Sequence, residues 1–297
     1  MAMRTRGRFI AAVCVLLTAA SCACAGVLEV HVIDVGQGDA ILVRFPEGRA
    51  MLVDAGPEDA AASLVRYLER RGVREIDILA ATHPHEDHIG GMTAILGAFR
   101  TGKVWDSGFA LGSRTQKEFL ADVGWRGIRF GTPKAGFEEV VDGVRVRVVA
   151  PVRELRGTES DANNNSLVLH IAYGAVSFLL TGDMQKEERR SVGAFPNATV
   201  LKIAHHGSRD GTDASFLNQV RPQYAVISYG YGNRYGHPKA GVVELLRTNG
   251  VQTVTTADDG NIVFRTDGTS LSVTMSRESN SLIDELLFLF RKLTGWF

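Results

Sequence analysis

Cysteine is nearly missing from this 297-residue chain: Cys14, Cys22 and Cys24 are the three it has, and all fall within the first 25 residues. From residue 26 onward there is no disulfide framework and no thiolate for a metal. The fold must therefore be held by its core, and any metal site must be built from His, Asp, Glu or Asn. A strong charge of one sign is also missing. Basic and acidic residues both number 33, and without Arg4, Arg6 and Arg8 near the N-terminus the balance is 30 to 33, a net charge of −3. That excludes a strongly basic nucleic-acid binder, so contact with DNA or RNA would have to rest on a local patch or on metals. Solenoid-length repeats, low-complexity tracts and a Pro/Ser-rich linker are absent too, which favours one domain. A hydrophobic content of 45% with 22% charged residues is that of a globular protein with a substantial core.

The two ends differ from the middle. Residues 1–25 carry three arginines, an apolar run from Phe9 to Ala20, and then Ser21-Cys22-Ala23-Cys24-Ala25. This is the three-part pattern of an export signal, with cleavage expected after Ala25. Ala19-Ala20-Ser21-Cys22 is an imperfect lipobox that would make Cys22 a lipid-bearing residue. The expected location is outside the cytoplasm, as a periplasmic, extracellular or outward-facing membrane-anchored protein. Residues 26–276 form the expected main domain. Residues 277–297 form a separate tail, in which Leu282, Leu286, Leu289, Phe290, Leu293 and Phe297 recur at helical spacing behind a capping-box start at Ser281. This amphipathic helix is too short to span a bilayer; it would dock on the domain, lie at a membrane surface or join a dimer contact.

Between these ends, apolar strand-like runs alternate with helical patterns in both halves. Strands are expected near Val30–Val35, Ala40–Phe45, Ala50–Val53 and Ile76–Ala81, then near Val144–Val149, Leu167–Tyr173, Val176–Leu180, Val200–Ala204 and Tyr224–Ser228, with three more from Val251 to Met275. Helices are expected near Ala60–Arg71, Thr115–Val123, Gln185–Ser191 and Gly241–Thr248. The pattern predicts an α/β fold in which two sheets pack together with helices outside.

The segment Thr82-His83-Pro84-His85-Glu86-Asp87-His88 places three imidazoles and a carboxylate within six residues, on a strand-to-helix loop. Neutral imidazole and carboxylate are the usual protein ligands for zinc and related divalent ions. Asp183 follows the apolar strand Phe178-Leu179-Leu180 and a break at Gly182, where its carboxylate could bridge two ions. His205 and His206 end another strand and precede Gly207-Ser208. Metal-ligand residues at three strand ends are a stronger signal than any one of them. His205, which directly ends the predicted strand, is preferred over His206 as the ligand, though either could serve.

Together with Val32–Ala40, Val53-Asp54-Ala55-Gly56, Asn164-Asn165-Ser166-Leu167 and Asn233-Arg234-Tyr235-Gly236-His237-Pro238, these segments resemble the metallo-β-lactamase superfamily. Within it they are similar to the extracytoplasmic metallohydrolase domain of ComEC-type DNA-uptake proteins. The resemblance implies an αββα sandwich with two divalent ions, zinc or manganese, at one edge. Carried over to this sequence, His83 and His85 hold the first ion, Asp87, His88 and His205 the second, and Asp183 bridges. Asn165 stands where many superfamily members supply a third histidine. As an amide oxygen it would loosen the first site and favour manganese.

Two ions in such a site activate water and neutralise charge on a phosphoryl or carbonyl oxygen. Asp87 is expected to orient the attacking nucleophile and His237 to protonate the leaving group or contact phosphate. Asp39 is expected to orient a ligand imidazole, and Lys202, Ser208 and Asn233 to touch substrate. Lys202, His206, Arg209, Arg234, His237 and Lys239 could form a local positive rim. The activity the resemblance implies is that of a phosphodiesterase or nuclease acting on DNA, degrading one strand outside the cytoplasmic membrane, with single-stranded DNA or another phosphodiester as the partner. The alternatives are hydrolysis of a small ester, lactone or cell-envelope phosphodiester, and a non-catalytic binding protein. After residue 25 no run reaches the ~20 apolar residues of a spanning helix, so the channel that accompanies this domain in DNA-uptake proteins would have to come from a partner.

Overall fold

The computed structural model describes residues 26–277. The expected leader, Cys22 and all of the tail beyond Arg277 lie outside the described residues. The first sheet uses β1 (Leu28–Val32), β2 (Ile41–Arg44), β3 (Ala50–Val53), β4 (Glu75–Ala81), β5 (Arg100–Asp106) and β6 (Arg129–Gly131). The second uses β7 (Glu138–Val141), β8 (Val144–Ala150), β9 (Val168–Tyr173), β10 (Val176–Leu180), β11 (Val200–Lys202), β12 (Tyr224–Ile227) and β13 (Gln252–Thr255). The chain then returns to the first sheet through β14 (Ile262–Thr266) and β15 (Leu271–Met275). The eight-stranded order is β15-β14-β1-β2-β3-β4-β5-β6, and the seven-stranded order is β13-β12-β11-β10-β9-β8-β7.

Both sheets are mixed. In the first, β1 to β3 pair antiparallel and β3 to β6 parallel; in the second, β7 to β10 pair antiparallel and β10 to β13 parallel. Strand alternation explains the layers. Met51, Val53, Ile78 and Ala80 meet Val146, Leu169, Phe178, Leu180 and Val226 between the sheets. The intervening Leu52, Leu79 and Ala81 face outward, under α1 (Ala61–Arg70), α3 (Met92–Ala98) and α4 (Arg114–Trp125). Leu179, Leu201 and Ala225 do the same on the other sheet, under α6 (Ala214–Val220) and α7 (Ala240–Thr248). The result is a four-layer αββα sandwich, as the spacing predicts. Each Leu, Ile, Val or Phe so enclosed contributes about 1.5–3 kcal/mol over exposure.

The remaining helices are short: α2 (Glu86–Ile89), α5 (Lys186–Val192) and α8 (Thr256–Asp259). Among the described residues no helix is long and apolar enough to cross a membrane. Edge strands β6 and β7 and helix α6 were not apparent from periodicity. The sequence of β7, Glu138-Glu139-Val140-Val141, is charged because an edge strand faces solvent.

Strand direction positions the site. β1, β3, β4, β10, β11 and β12 all run the same way, so the segments that follow them gather at one edge of the sandwich. Parallel strands deliver their functional loops at such carboxyl ends.

Candidate metal centre

Thr82 follows β4 and opens the loop that carries His83 and His85; α2 then holds Asp87 and His88. The loop is pinned from beneath by Asp54, which follows β3 with φ 58° and is buried. Its carboxylate accepts from the Thr82 amide at 2.7 Å and the Thr82 hydroxyl at 2.6 Å, and from His88 Nδ1 at 2.7 Å. Because the Thr82 hydroxyl is spent on Asp54, its oxygen is left to accept from His83 Nδ1 at 3.2 Å. One carboxylate therefore fixes two rings, leaving Nε2 of each aimed into the centre. Orientation of this kind by an outer partner is what metal-binding histidines require.

Glycine makes the loop fit. A methyl group at Gly38 would lie 2.3 Å from the Asp87 carbonyl oxygen, so only glycine lets residues 36–39 pass beside the metal loop. There the Asp39 amide donates to the Asp87 carbonyl at 3.2 Å.

Asp183 reaches the same point from β10. One carboxylate oxygen lies 3.6 Å from His83 Nε2, and the other lies 3.3 Å from His88 Nε2 and 3.7 Å from His206 Nε2. His83 Nε2 and His85 Nδ1 are 3.0 Å apart, and His206 Nε2 is 3.3 Å from Asp87. Among the described residues four overlapping groups have donor atoms within 4.8 Å of one another; the two that reach the cleft from separate sides are His83, His85 and Asp183, and Asp87, His88 and His206. Asp183 stands between them.

These residues fit a divalent cation on two counts. His88 Nε2, His206 Nε2 and one Asp183 oxygen are buried and make no hydrogen bond, a costly state for polar atoms unless something else binds them. The cluster also holds excess negative charge. Burial opposes the protonated form of His88 and His206, but the carboxylates of Asp183, Asp54 and Asp87 around the first, and of Asp183, Asp87 and Asp39 around the second, drive both pKa values up. Burial works against ionised Asp87 and Asp183, yet the surrounding imidazoles hold both acids well below the usual range. His83 and His85 are pushed down, first by burial, and so are ready as neutral ligands.

Several expectations read differently against the geometry. His206, rather than His205, groups with Asp87 and His88. β11 stops at Lys202, and both histidines sit in a turn with left-handed backbone, φ 50° and 53°. His206 turns inward, where its Nδ1 donates to the Ser228 carbonyl at 2.9 Å. His205 stands at the cleft wall, 3.8 Å from Asp183, with Nδ1 accepting from Gln185 at 3.3 Å. Asn165 does not complete the first set: its amide is bound to the backbone of Leu155 and Asp161 at 2.7 to 2.9 Å. Lys202 is not a substrate contact. It is 1% exposed, and its ammonium pairs with buried Asp39 at 2.8 Å. Ser208 is likewise buried, outside the cleft. With Lys202 and His206 buried, the expected positive rim shrinks to Arg234 and its neighbours.

The centre opens into a cleft of about 720 Å³ lined by His85, Asp87, His205, Arg234, Tyr235 and His237, among others. Asn233 lines it too, but its amide is occupied in closing the loop: it donates to the carbonyls of Gly230 and His237 and accepts from the amides of Tyr235 and His237. His237 is pushed down to about 4, first by burial and then by His205 and His206. Asp54, Ser228 and Gln185 are the supporting residues that sequence reasoning missed. For Asp54 the signal was present: an Asp-Ala-Gly break after an apolar strand, as at Asp183.

The model for the metallo-beta-lactamase superfamily matches residues 33–231. This chain belongs to that superfamily. It is 32% identical over 258 residues to ComE operon protein 3 of Bacillus subtilis, covering 80% of this chain and 33% of that protein. It is 34% identical over 246 residues to competence protein ComA of Neisseria gonorrhoeae, covering 79% and 32%. The chain thus spans about a third of the length of these curated relatives. Among solved structures, the metallo-beta-lactamase fold protein YhfI of Bacillus subtilis is similar, with a TM-score of 0.56 at 12% identity over 81% of this chain and 100% of that one. That likeness is one of fold. Membership of the family and the His/Asp cluster make this a metallo-β-lactamase-type hydrolase with the means to bind divalent metal.

Proposed function

We propose that the chain is an exported phosphodiesterase that cleaves DNA, using two divalent ions, zinc or manganese. The observation that carries this reading is Asp183, whose two oxygens face different donor sets, the arrangement a bridging carboxylate requires. When bound, a pair of divalent ions supplies activated water at neutral pH and neutralises charge on a phosphoryl oxygen. Asp87 lies at the cleft side of its donor set and would orient the nucleophile; His237 and Arg234 would take the phosphate oxygens. The competence-related names of the relatives support DNA as substrate, and the leader-like residues 1–25 support export, with Cys22 lipidation or the C-terminal tail as a route to the membrane. Protein partners would supply the transport channel.

A second reading has its own observation. Asp59 and Glu86 line the same cleft, and carboxylates there favour a small or neutral ester, a lactone or a cell-envelope phosphodiester over a polyanion. Turnover of single-stranded DNA and of bis-p-nitrophenyl phosphate, measured after adding manganese or zinc to chelator-treated protein, separates the two. DNA cleavage that His83→Ala abolishes supports the nuclease; activity on small esters alone overturns it. Full metal loading without turnover of either would leave a binding protein.

A further inference from the structure

A continuous series of flat groups leads away from the metal centre, from His205 after β11 to the loop after β12. His205, 3.8 Å from Asp183, meets the His237 ring edge-on at 5.5 Å between centroids. His237 in turn lies against Tyr235 at 5.8 Å with the rings 23° apart. The Arg234 guanidinium sits 5.0 Å from the Tyr235 ring centre and donates to its hydroxyl at 2.8 Å. Tyr235 is 46% exposed although it lines the cleft. An exposed aromatic ring carrying a guanidinium, beside a hydrolytic centre, has no role in holding the core.

The backbone of the loop is also tied down. Asn233 closes the loop on itself, and the Lys239 ammonium donates to the Tyr235 carbonyl at 2.7 Å. A surface held in place before its ligand arrives loses little conformational freedom on binding.

We propose that Arg234 and Tyr235 form a subsite for an unpaired nucleobase next to the metal centre. The proposal deepens the nuclease reading and rests on it. Aromatic rings and guanidinium planes are the groups on which bases of single strands stack, and they accept any base because each has a π-face. In a duplex those faces are covered by neighbouring base pairs, so the subsite selects single strands, while the Arg234 charge also favours the backbone. The direction of the series would place a stacked base outside the centre and its phosphate toward His237.

The test uses full-length, manganese-loaded protein and fluorescent single strands with hydrolysis-resistant phosphorothioate linkages. Anisotropy compares an oligothymidylate with an abasic strand of equal length and charge. The wild type is expected to prefer the base-bearing strand. Tyr235→Ala weakens that strand's binding by about tenfold, within the range of one lost stacking contact, and Tyr235→Trp retains it; Arg234→Ala weakens both strands through its lost charge, the base-bearing one more. Equal affinity of the wild type for both strands overturns the subsite, and so does a Tyr235→Ala loss that is the same on both. If the preference is present but ordinary phosphodiester strands are not cleaved, the subsite stands and the nuclease reading falls. Cleavage without any preference has the opposite meaning.

Discussion

The two donor sets that share Asp183 are not equivalent. His88 and His206 are buried, and each has its second nitrogen committed: to Asp54 in one case and to the Ser228 carbonyl in the other. The Asp39–Lys202 pair backs His206, with Asp39 at 3.6 Å from its Nδ1. On the other side His83 is buried and held by Thr82, but His85 lies on the cleft wall and, among the described residues, has only His83 as a ring-nitrogen partner. The difference teaches that ligand count alone does not rank two sites. The Asp87 side is the preorganised one and should bind its ion more tightly, because orientation of its rings is settled before metal arrives.

The sharpest way to break that comparison is to remove His206. His206→Ala is expected to abolish tight binding on the Asp87 side, a larger effect than the 10–100-fold typical of an outer partner, while His205→Ala keeps both ions. Calorimetric titration of chelator-treated protein with manganese checks this, and the reverse outcome would restore His205 as the ligand. Asp54→Asn should come next. Because Asp54 fixes His83 through Thr82 as well as His88 directly, affinity should fall about 10–100-fold on both sides rather than one.

Lys202→Met separates support from ligation. It leaves Asp39 charged and buried with only the His206 ring beside it, at an expected cost of up to about 3–5 kcal/mol in urea unfolding. Adding Asp39→Asn should recover most of the loss, since removing both charges spares the desolvation that one alone incurs. A double variant no more stable than Lys202→Met would show that the pair is not the cause.

The smallest effect concerns the scaffold beneath both sets. His31 is buried on β1, bonded to the Tyr67 hydroxyl and to Glu29, and burial lowers its pKa to about 4 from 6.5. Below pH 6.5 the unfolded chain takes up this proton and the folded chain does not. Stability should therefore fall as pH drops from 6.5 toward 4, by roughly 3 kcal/mol at most from this group, and be unaffected by it above 6.5. His31→Gln should flatten that limb of the pH–stability curve while metal affinity on both sides stays as it was.

Much of this arrangement could be read from sequence because it follows strand periodicity. The alternating runs marked the inner strands but not the edge strands β6 and β7, and His83, His85, Asp87, His88 and Asp183 stand out because polar ligands at strand ends break an apolar pattern. Even Lys202 was legible in principle. Val200 faces the core between the sheets and Leu201 the outer helices, so alternation turns Lys202 back between the sheets. What periodicity cannot give is direction inside a turn. His205 and His206 are adjacent, and two successive left-handed residues decide which ring points inward. Asn165 shares its sequence context with Asn163 and Asn164, and only the approach of Leu155 and Asp161 commits its amide elsewhere.

The direction of β1 has a consequence for the molecule as a whole. β1 ends at the metal edge, so Gly26 enters at the far end, some five residues or about 17 Å of strand away. β15 runs parallel to β1, and Arg277 reaches Asp34 on the metal side. A tether attached ahead of Gly26 would hold the cleft outward, away from the surface it is fixed to. Anything joined after Arg277 would begin beside the cleft mouth, so the two ends of the domain impose opposite geometries on whatever is attached to them.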